Sequence, residues 1–458
     1  MKPEPLRRRL RTALVAAALA WPGAALTGPA AAAAQVQVQR DHRHDTAPTP
    51  DTLRLAVVVD SALARNPELL ALRALADAAA ARVPEAGTLP DPTLTLGAMN
   101  LGLFDLDRGM PNSMAPSVQL SQTLPFFGKL RLREEMADAT GEEARVTVAE
   151  SEWRLRGRVA EEFHALYALD QRLAVQQRTL ELLQDFQSVA RALYASGTGN
   201  QGDVIRADVE VARLDAEMQR LQALRAVRAA SLNALLDRPG GAQVGTLLLD
   251  PVPEAVPAPE TLLAWAMETR PALIRESVRV ERARTGVELA ERDFWPDFTV
   301  SAQFGRRGGE NARSMGSLLV GASLPIHAGS RQRPRVEAAR AMERAAEAGA
   351  SGVRAAVDAE LRTVLADLRR AGSLMTLHRD EIIPAAQANV NSSLASYRVG
   401  AVDFATLVDA QLAVDRFEQD YHQLVADYCT ALSQLEAVVG RPLPGTEILP
   451  AAFAPEVP

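Results

Sequence analysis

Few side chains in this 458-residue sequence are spaced for chemistry. Asp41-His42-Arg43-His44-Asp45 offers two imidazoles and two carboxylates to a divalent cation. The thioethers of Met110 and Met114, with Met99 nearby, could attract a soft cation such as Cu(I). The first group lies in a Pro- and Thr-rich tail and reads more simply as solvated chain; the methionines read as filling of a loop. Gly197-Thr198-Gly199-Asn200-Gln201-Gly202 has the G-x-G-x-x-G spacing, but a helical pattern precedes it where a dinucleotide site demands a strand. It reads as a loop tip. His164, His327, His378 and His422 are dispersed, and the single Cys429 excludes a disulfide framework and a Cys-rich metal centre. No nucleophile–base arrangement is legible. The sequence therefore offers no catalytic, cofactor or resident metal site, and it is not read as an enzyme.

The bulk of the chain is built for contact between long helices. Ala, Leu, Arg, Glu and Gln abound, aromatics make up 4%, and the formal charge of −7 argues against a nucleic-acid partner. Arg7, Arg8, Arg9 and Arg11 precede an apolar stretch and an Ala-rich tract ending at Ala34, the layout of a secretory signal peptide over 1–34. Residues 35–50 read as a flexible tail. No cysteine lies near the cleavage region, so no lipid anchor is expected.

From residue 51 onward the sequence is one unit written twice. Pro67 and Pro271, Pro90 and Pro296, Leu124 and Leu324, Tyr194 and Tyr397, and Arg238 and Arg441 are separated by 204, 206, 200, 203 and 203 positions. Repeat 1 spans 51–237, with strands at about 91–104 and 115–124 and a helical hairpin over 129–236. A Pro- and Gly-rich linker covers 238–259. Repeat 2 spans 260–441, with strands at about 297–305 and 316–325 and a hairpin over 331–439, and 442–458 form a C-terminal tail. The strands alternate: Phe298, Val300, Ala302 and Phe304 share one face, Thr299, Ser301 and Gln303 the other. Alternation alone fits either a half-buried sheet or a barrel between lipid and water.

The helices carry more information. No Pro interrupts Lys129 to Ser196, a span that reaches roughly 100 Å at about 1.5 Å per residue. Leu407, Ala410, Val414, Phe417, Tyr421 and Leu424 continue to Val438 in a 3/4 seam, and Val204, Ala207, Val211 and Leu214 begin the matching seam of repeat 1, broken by Arg225 and Arg228. Pro384 has no counterpart in repeat 1 and is expected to kink only the second hairpin.

The doubled unit, with Asn66-Pro67-Glu68-Leu69, Leu89-Pro90-Asp91-Pro92, Gln122-Thr123-Leu124-Pro125-Phe126-Phe127-Gly128-Lys129 and Tyr397-Arg398-Val399-Gly400, resembles the TolC-type outer-membrane efflux proteins over about 51–441. The resemblance implies a mainly α protein with a transmembrane β-barrel. Three protomers would each give four strands to a twelve-stranded barrel that continues into a periplasmic coiled-coil tunnel. It implies a passive duct in the outer membrane that works with a periplasmic adaptor and an inner-membrane pump of RND type. The four strands support this independently, since open sheet edges are not tolerated in lipid.

In that family, acidic residues near the second hairpin tip ring a closed periplasmic entrance. The resemblance carries this role to Asp409. A second family position is Thr406 here, with Asp403 and Asp203 near enough to substitute; all three Asp could instead simply favour helix starts. Tyr194, Gly197, Tyr397 and Gly400 mark the tips expected to meet the adaptor. Leu124-Pro125-Phe126-Phe127-Gly128-Lys129 and Ile382-Ile383-Pro384-Ala385-Ala386 resemble the heavy-metal branch, implying metal cations as cargo. A drug or general solute exporter, a type I secretion duct and, more remotely, a periplasmic coiled-coil scaffold are the alternatives.

Overall fold

The computed structural model describes residues 52–99, 114–250, 256–307 and 314–444. The segment expected to be a signal peptide, the tail with His42 and His44, the loop with Met110, and all but the start of the C-terminal tail lie outside the described residues. Repeat 1 runs β1 (Thr52–Arg54), α1 (Leu55–Arg65), α2 (Pro67–Ala81), α3 (Val83–Gly87), β2 (Thr93–Met99), β3 (Met114–Leu124), α4 (Lys129–Ala195) and α5 (Gln201–Leu235). After β4 (Thr246–Leu248), repeat 2 follows as α6 (Pro259–Thr269), α7 (Pro271–Arg292), β5 (Phe298–Arg307), β6 (Ser314–Ala322), α8 (Gln332–Leu377), a π turn (His378–Ile382), α9 (Ile383–Arg398) and α10 (Phe404–Val439). The architecture is the doubled strand pair and long hairpin.

The seams bury at most of their 3/4 positions, with Phe417, Tyr421, Val204 and Val211 half-buried. Leu407, Ala410, Val414, Leu424, Leu435 and Val438 of α10 are buried, as are Ala207, Leu214, Leu221 and Leu232 of α5. Helix α4 lies against both α5 and α10, and α10 lies against α8, so α5 and α8 are outer members of the layer. Each fully buried Leu contributes about 1.5–3 kcal/mol. Where Arg225 and Arg228 break the α5 seam, their guanidinium groups reach Asp170 and Glu162 of α4, each with a 3.2 Å contact. Ion pairs thus continue the seam.

The irregularity read at Pro384 takes the form of a π turn. Pro384 lacks an N–H, and its ring would collide with the carbonyl of residue 380 in a regular helix. The ladder widens to the π spacing over His378–Ile382, so the rising helix of repeat 2 is 46 residues long before the break, whereas α4 runs 67 residues unbroken. A correction applies to 238–259, which is more than a linker. Thr246–Leu248 pairs in parallel with Thr52–Arg54, and Val244 and Leu247 are buried beside Leu53, Phe163 and Leu236.

The four-stranded sheet has the order β2-β3-β5-β6, antiparallel throughout. Leu94, Leu120, Ala302 and Leu318 form one cross-strand row; Leu96, Val118 and Phe304 lie in the next on the same face. The opposite face carries Thr95, Gln119, Gln303 and Ser317, and the Ser301 hydroxyl bonds that of Ser121 at 3.1 Å. The apolar face is bare, with Leu318 and Val320 73% and 71% exposed. An apolar sheet face turned outward and a polar face turned inward are what a barrel wall in lipid needs. Leu319, on the polar face opposite Ser301, is the exception.

Sheet and helices join at one buried charge. Lys129, at the start of α4, is 3% exposed, and its ammonium lies 2.9 Å from Asp297 and 3.3 Å from Asp293. It also donates to the Trp295 carbonyl at 3.3 Å, while the Phe126 N–H donates to Asp297 at 2.8 Å. Burial resists ionisation of Asp297, but the Phe126 N–H and the Lys129 ammonium outweigh it and hold the carboxyl below its usual range. Gly128 precedes with φ 87°, and a Cβ there would press on the Arg292 guanidinium at 3.1 Å.

Two outcomes are expected. Lys129→Met should cost about 3 kcal/mol, since it takes the ammonium from half-buried Asp297 and leaves Asp293 to Arg335 alone; an unchanged midpoint for heat dissociation in detergent would refute it. Val300→Arg should cost about 2–4 kcal/mol near the bilayer midplane and reduce insertion, whereas Ser301→Arg should alter conductance and spare assembly. Equal labelling of cysteines placed at 300 and 301 by a water-soluble thiol reagent would contradict the alternation.

Candidate functional site

The tips are shaped by their glycines. Gly197 and Gly400 have φ of 76° and 72°, a conformation that costs other residues strain. The Gly197 N–H bonds the Tyr194 carbonyl at 3.0 Å, and the Gly400 N–H bonds that of Tyr397 at 2.9 Å. Gly199 serves a different need: a Cβ there would fall 2.8 Å from the Leu193 carbonyl carbon. The G-x-G of the first tip is thus one glycine for its dihedral angle and one for close approach.

Beyond each tip the next helix is capped from repeat-related positions. The Asn200 side chain accepts from the Gly202 N–H at 3.0 Å, and Asp403 accepts from the Thr406 N–H at 2.9 Å. Asp403 therefore holds the helix start that elementary capping assigns it. Hydrogen bonds from Thr406 are the largest of the influences that lower its carboxyl pKa. Asp203 stands in the first turn of α5, where burial first, and then the charge of Asp403, push its carboxyl up. Asp409 is 66% exposed at its side chain and pairs with Arg206 of α5 at 3.2 Å. Arg206 was absent from the sequence reading, although Asp409 and Arg206 are 203 positions apart, the repeat offset itself. That offset was the signal that could have found it.

The four tip residues expected to meet a partner divide. Tyr194 is 49% exposed, and the turn at Gly197 and Gly400 is open. Tyr397 corrects the expectation: it is 8% exposed, its ring 5.6 Å from that of Phe404, in a cluster with Leu183 and Leu407. Its size and apolar body suit the packing between hairpins, and Val399, 79% exposed, takes the outward position.

Further from the tips, Asp415 of α10 is buried and unforeseen. It accepts from Thr179 at 3.0 Å and Gln176 at 3.2 Å, both on α4, and from Gln419 at 2.6 Å. Burial pushes its carboxyl up, and the Thr179 and Gln419 hydrogen bonds oppose the rise. This polar layer borders a cleft of about 690 Å³ between α4, α5 and α10, whose rim mixes Arg172, Arg213 and Arg220 with Glu210 and Glu217. Among the described residues no group of three or more His, Cys, Asp and Glu is placed to hold a metal ion.

Known proteins share this fold. The family model "Outer membrane efflux protein" matches residues 58–238 and 262–441, one stretch per repeat. The chain is 23% identical over 369 residues to nodulation protein T of Rhizobium leguminosarum bv. trifolii, covering 78% of each. It is 22% identical over 327 residues to the cobalt-zinc-cadmium resistance protein CzcC of Cupriavidus metallidurans, covering 71% of this chain and 77% of that one. The solved outer-membrane channel OprN superposes with a TM-score of 0.73 at 20% identity, over 84% of this chain and 89% of its own. With a bare apolar sheet face, two long hairpins and a family match on both repeats, the chain belongs to the outer membrane efflux proteins, passive channels of the Gram-negative outer membrane with a periplasmic extension.

Proposed function

We propose that three copies of this chain form the duct of a tripartite exporter, receiving cargo at the periplasmic tips and releasing it beyond the outer membrane. The observation that carries this reading is that sheet and helix layer are open at the same two flanks. In the sheet, repeat 1 ends at the free edge of β2 and repeat 2 at the free edge of β6. In the helices, α5 of repeat 1 bares Ile205, Val209, Ala212, Ala216 and Ala223, and α8 of repeat 2 bares Ala338, Met342, Ala345, Gly349, Gly352 and Ala356, both at 3/4 spacing. Two different flanks that need covering suit a head-to-tail contact, which closes into a ring. Three four-stranded sheets complete the twelve-stranded barrel that the family resemblance implies, and leave no edge in lipid. Heat-modifiable trimer mobility and single-channel conductance of purified protein in bilayers should follow; a monodisperse monomer in detergent-free buffer would overturn the reading.

The tips are the entrance. Tyr194, Gly197, Val399 and Gly400 are offered to a periplasmic adaptor, with Tyr397 supporting them from beneath. Asp409, Asp403 and Asp203 border the mouth, and Arg206 ties Asp409 of the second hairpin to the first. Like charges brought together by threefold symmetry would repel one another, and the Arg206 pair restrains the opening. Metal cations are the favoured cargo, on the similarity to CzcC, with an RND-type pump supplying them; a drug or general solute exporter or a type I secretion duct is the alternative. Deleting the chain's gene should sensitise cells to cobalt, zinc or cadmium more than to hydrophobic drugs if metals are carried.

Exposed pairs contribute about 0.2–1 kcal/mol, so Asp409→Ala should shift the open–closed ratio up to about fivefold toward open and lower cation selectivity. Asp409→Lys should open the mouth further and move selectivity toward anions, and adding Arg206→Asp should restore closure. An Asp409→Lys channel with unchanged selectivity and gating would return Asp409 to a surface role.

A further inference from the structure

The base of the barrel carries aromatic side chains that the sheet does not cover. Phe127 follows β3 and is 81% exposed; Trp295 precedes β5 and is 56% exposed. Phe126 stacks on Trp295, rings 5.1 Å apart and inclined by 10°. Both strands are internal in the order β2-β3-β5-β6, so strand pairing with a neighbouring protomer, at the β2 and β6 edges, does not reach these positions. In the chain they flank Leu124 and Phe298, the cross-strand pair that closes the apolar face at the end where the helices leave.

A cation sits among them. The Arg292 guanidinium, from the last turn of α7, donates to the Phe127 carbonyl at 3.0 Å. Among the described residues no carboxylate lies within ion-pair distance of Arg292, nor of exposed Arg133 one turn into α4, whereas Lys129 beside them is fully engaged by Asp293 and Asp297. A guanidinium held by a backbone carbonyl beside exposed aromatic residues, at the level where apolar wall gives way to polar helix, matches the chemistry of a phospholipid at its phosphate and glycerol.

We propose that this rim binds an anionic phospholipid of the periplasmic leaflet, its phosphate on Arg292 and its glycerol and first methylenes against Phe127 and the Phe126–Trp295 pair. The proposal rests on the lipid-facing wall argued above. Continuity with that wall and charge complementarity select a lipid over a protein occupant. Three such rims would set the depth at which the barrel sits.

The test uses the full trimer reconstituted in phosphatidylcholine vesicles containing dibrominated phosphatidylglycerol, with Trp153 and Trp265 replaced by Phe so that, with Trp21 in the segment read as a signal peptide, Trp295 alone fluoresces. Quenching should exceed that expected from the bulk mole fraction, by about fivefold in local preference for one guanidinium at the surface. Arg292→Gln should return it to the bulk ratio while dibrominated phosphatidylcholine still quenches; Arg133→Gln, which breaks no hydrogen bond to Phe127, should reduce the preference in part. Quenching that follows the bulk ratio in the unaltered protein would overturn the phosphate site. No quenching by either brominated lipid would show the rim covered by protein. Conductance measured on the same vesicles separates these failures from failure of the duct itself.

Discussion

The ammonium of Lys129 is where sheet and helices become one structure. A lysine at 3% exposure is tolerable only if its charge is met, and Asp293, Asp297 and the Trp295 carbonyl meet it from the segment that leads into β5. The contact therefore ties the start of the long helix of repeat 1 to the start of the strands of repeat 2. The apolar face of the sheet and the axis of α4 take their relation from this joint, and everything toward the tips inherits it. A hydrophobic contact there would hold less direction, because hydrogen bonds, unlike apolar contacts, prescribe both distance and angle.

Duplication supplies two copies of each device, and the copies have parted. The first residue of α8, as Lys129 is of α4, is Gln332, also buried, with its Oε1 unpartnered among the described residues. One junction is held by charge, the other by a neutral side chain incompletely satisfied. The rising helix is unbroken in repeat 1 and relieved by a π turn before Pro384 in repeat 2. At the tips, Asn200 and Asp403 keep the same capping role, while Arg206 and Asp409 have taken opposite signs and bond each other. Symmetry broken in this way gives the protomer two unlike hairpins.

Exposure has two meanings along the same chain. On the sheet, large apolar side chains are bare because their solvent is lipid. On α5 and α8 the bare stripes are mostly of small residues, which suits cover by another helix at close range in the proposed ring. Tyr397 shows the reverse: a residue at an exposed tip can be buried when the tip folds against its neighbour hairpin.

What the sequence by itself determined was everything periodic. The repeat offset, the alternation of Phe298 to Phe304, the 3/4 seam of α10 and the glycine stops at 197 and 400 are local patterns, readable because each residue's role depends on near neighbours. What only the tertiary structure decided were pairings across long separations. Lys129 and Asp297 are 168 positions apart, Arg206 and Asp409 203, Thr179 and Asp415 236. Nothing in the local pattern marks Asp415 as buried or Lys129 as enclosed, since both are charged residues in helices rich in charge. The short parallel pair of β1 and β4 escaped for the same reason: three residues carry no period, and only the cover of Phe163 and Leu236 makes Leu247 a core residue.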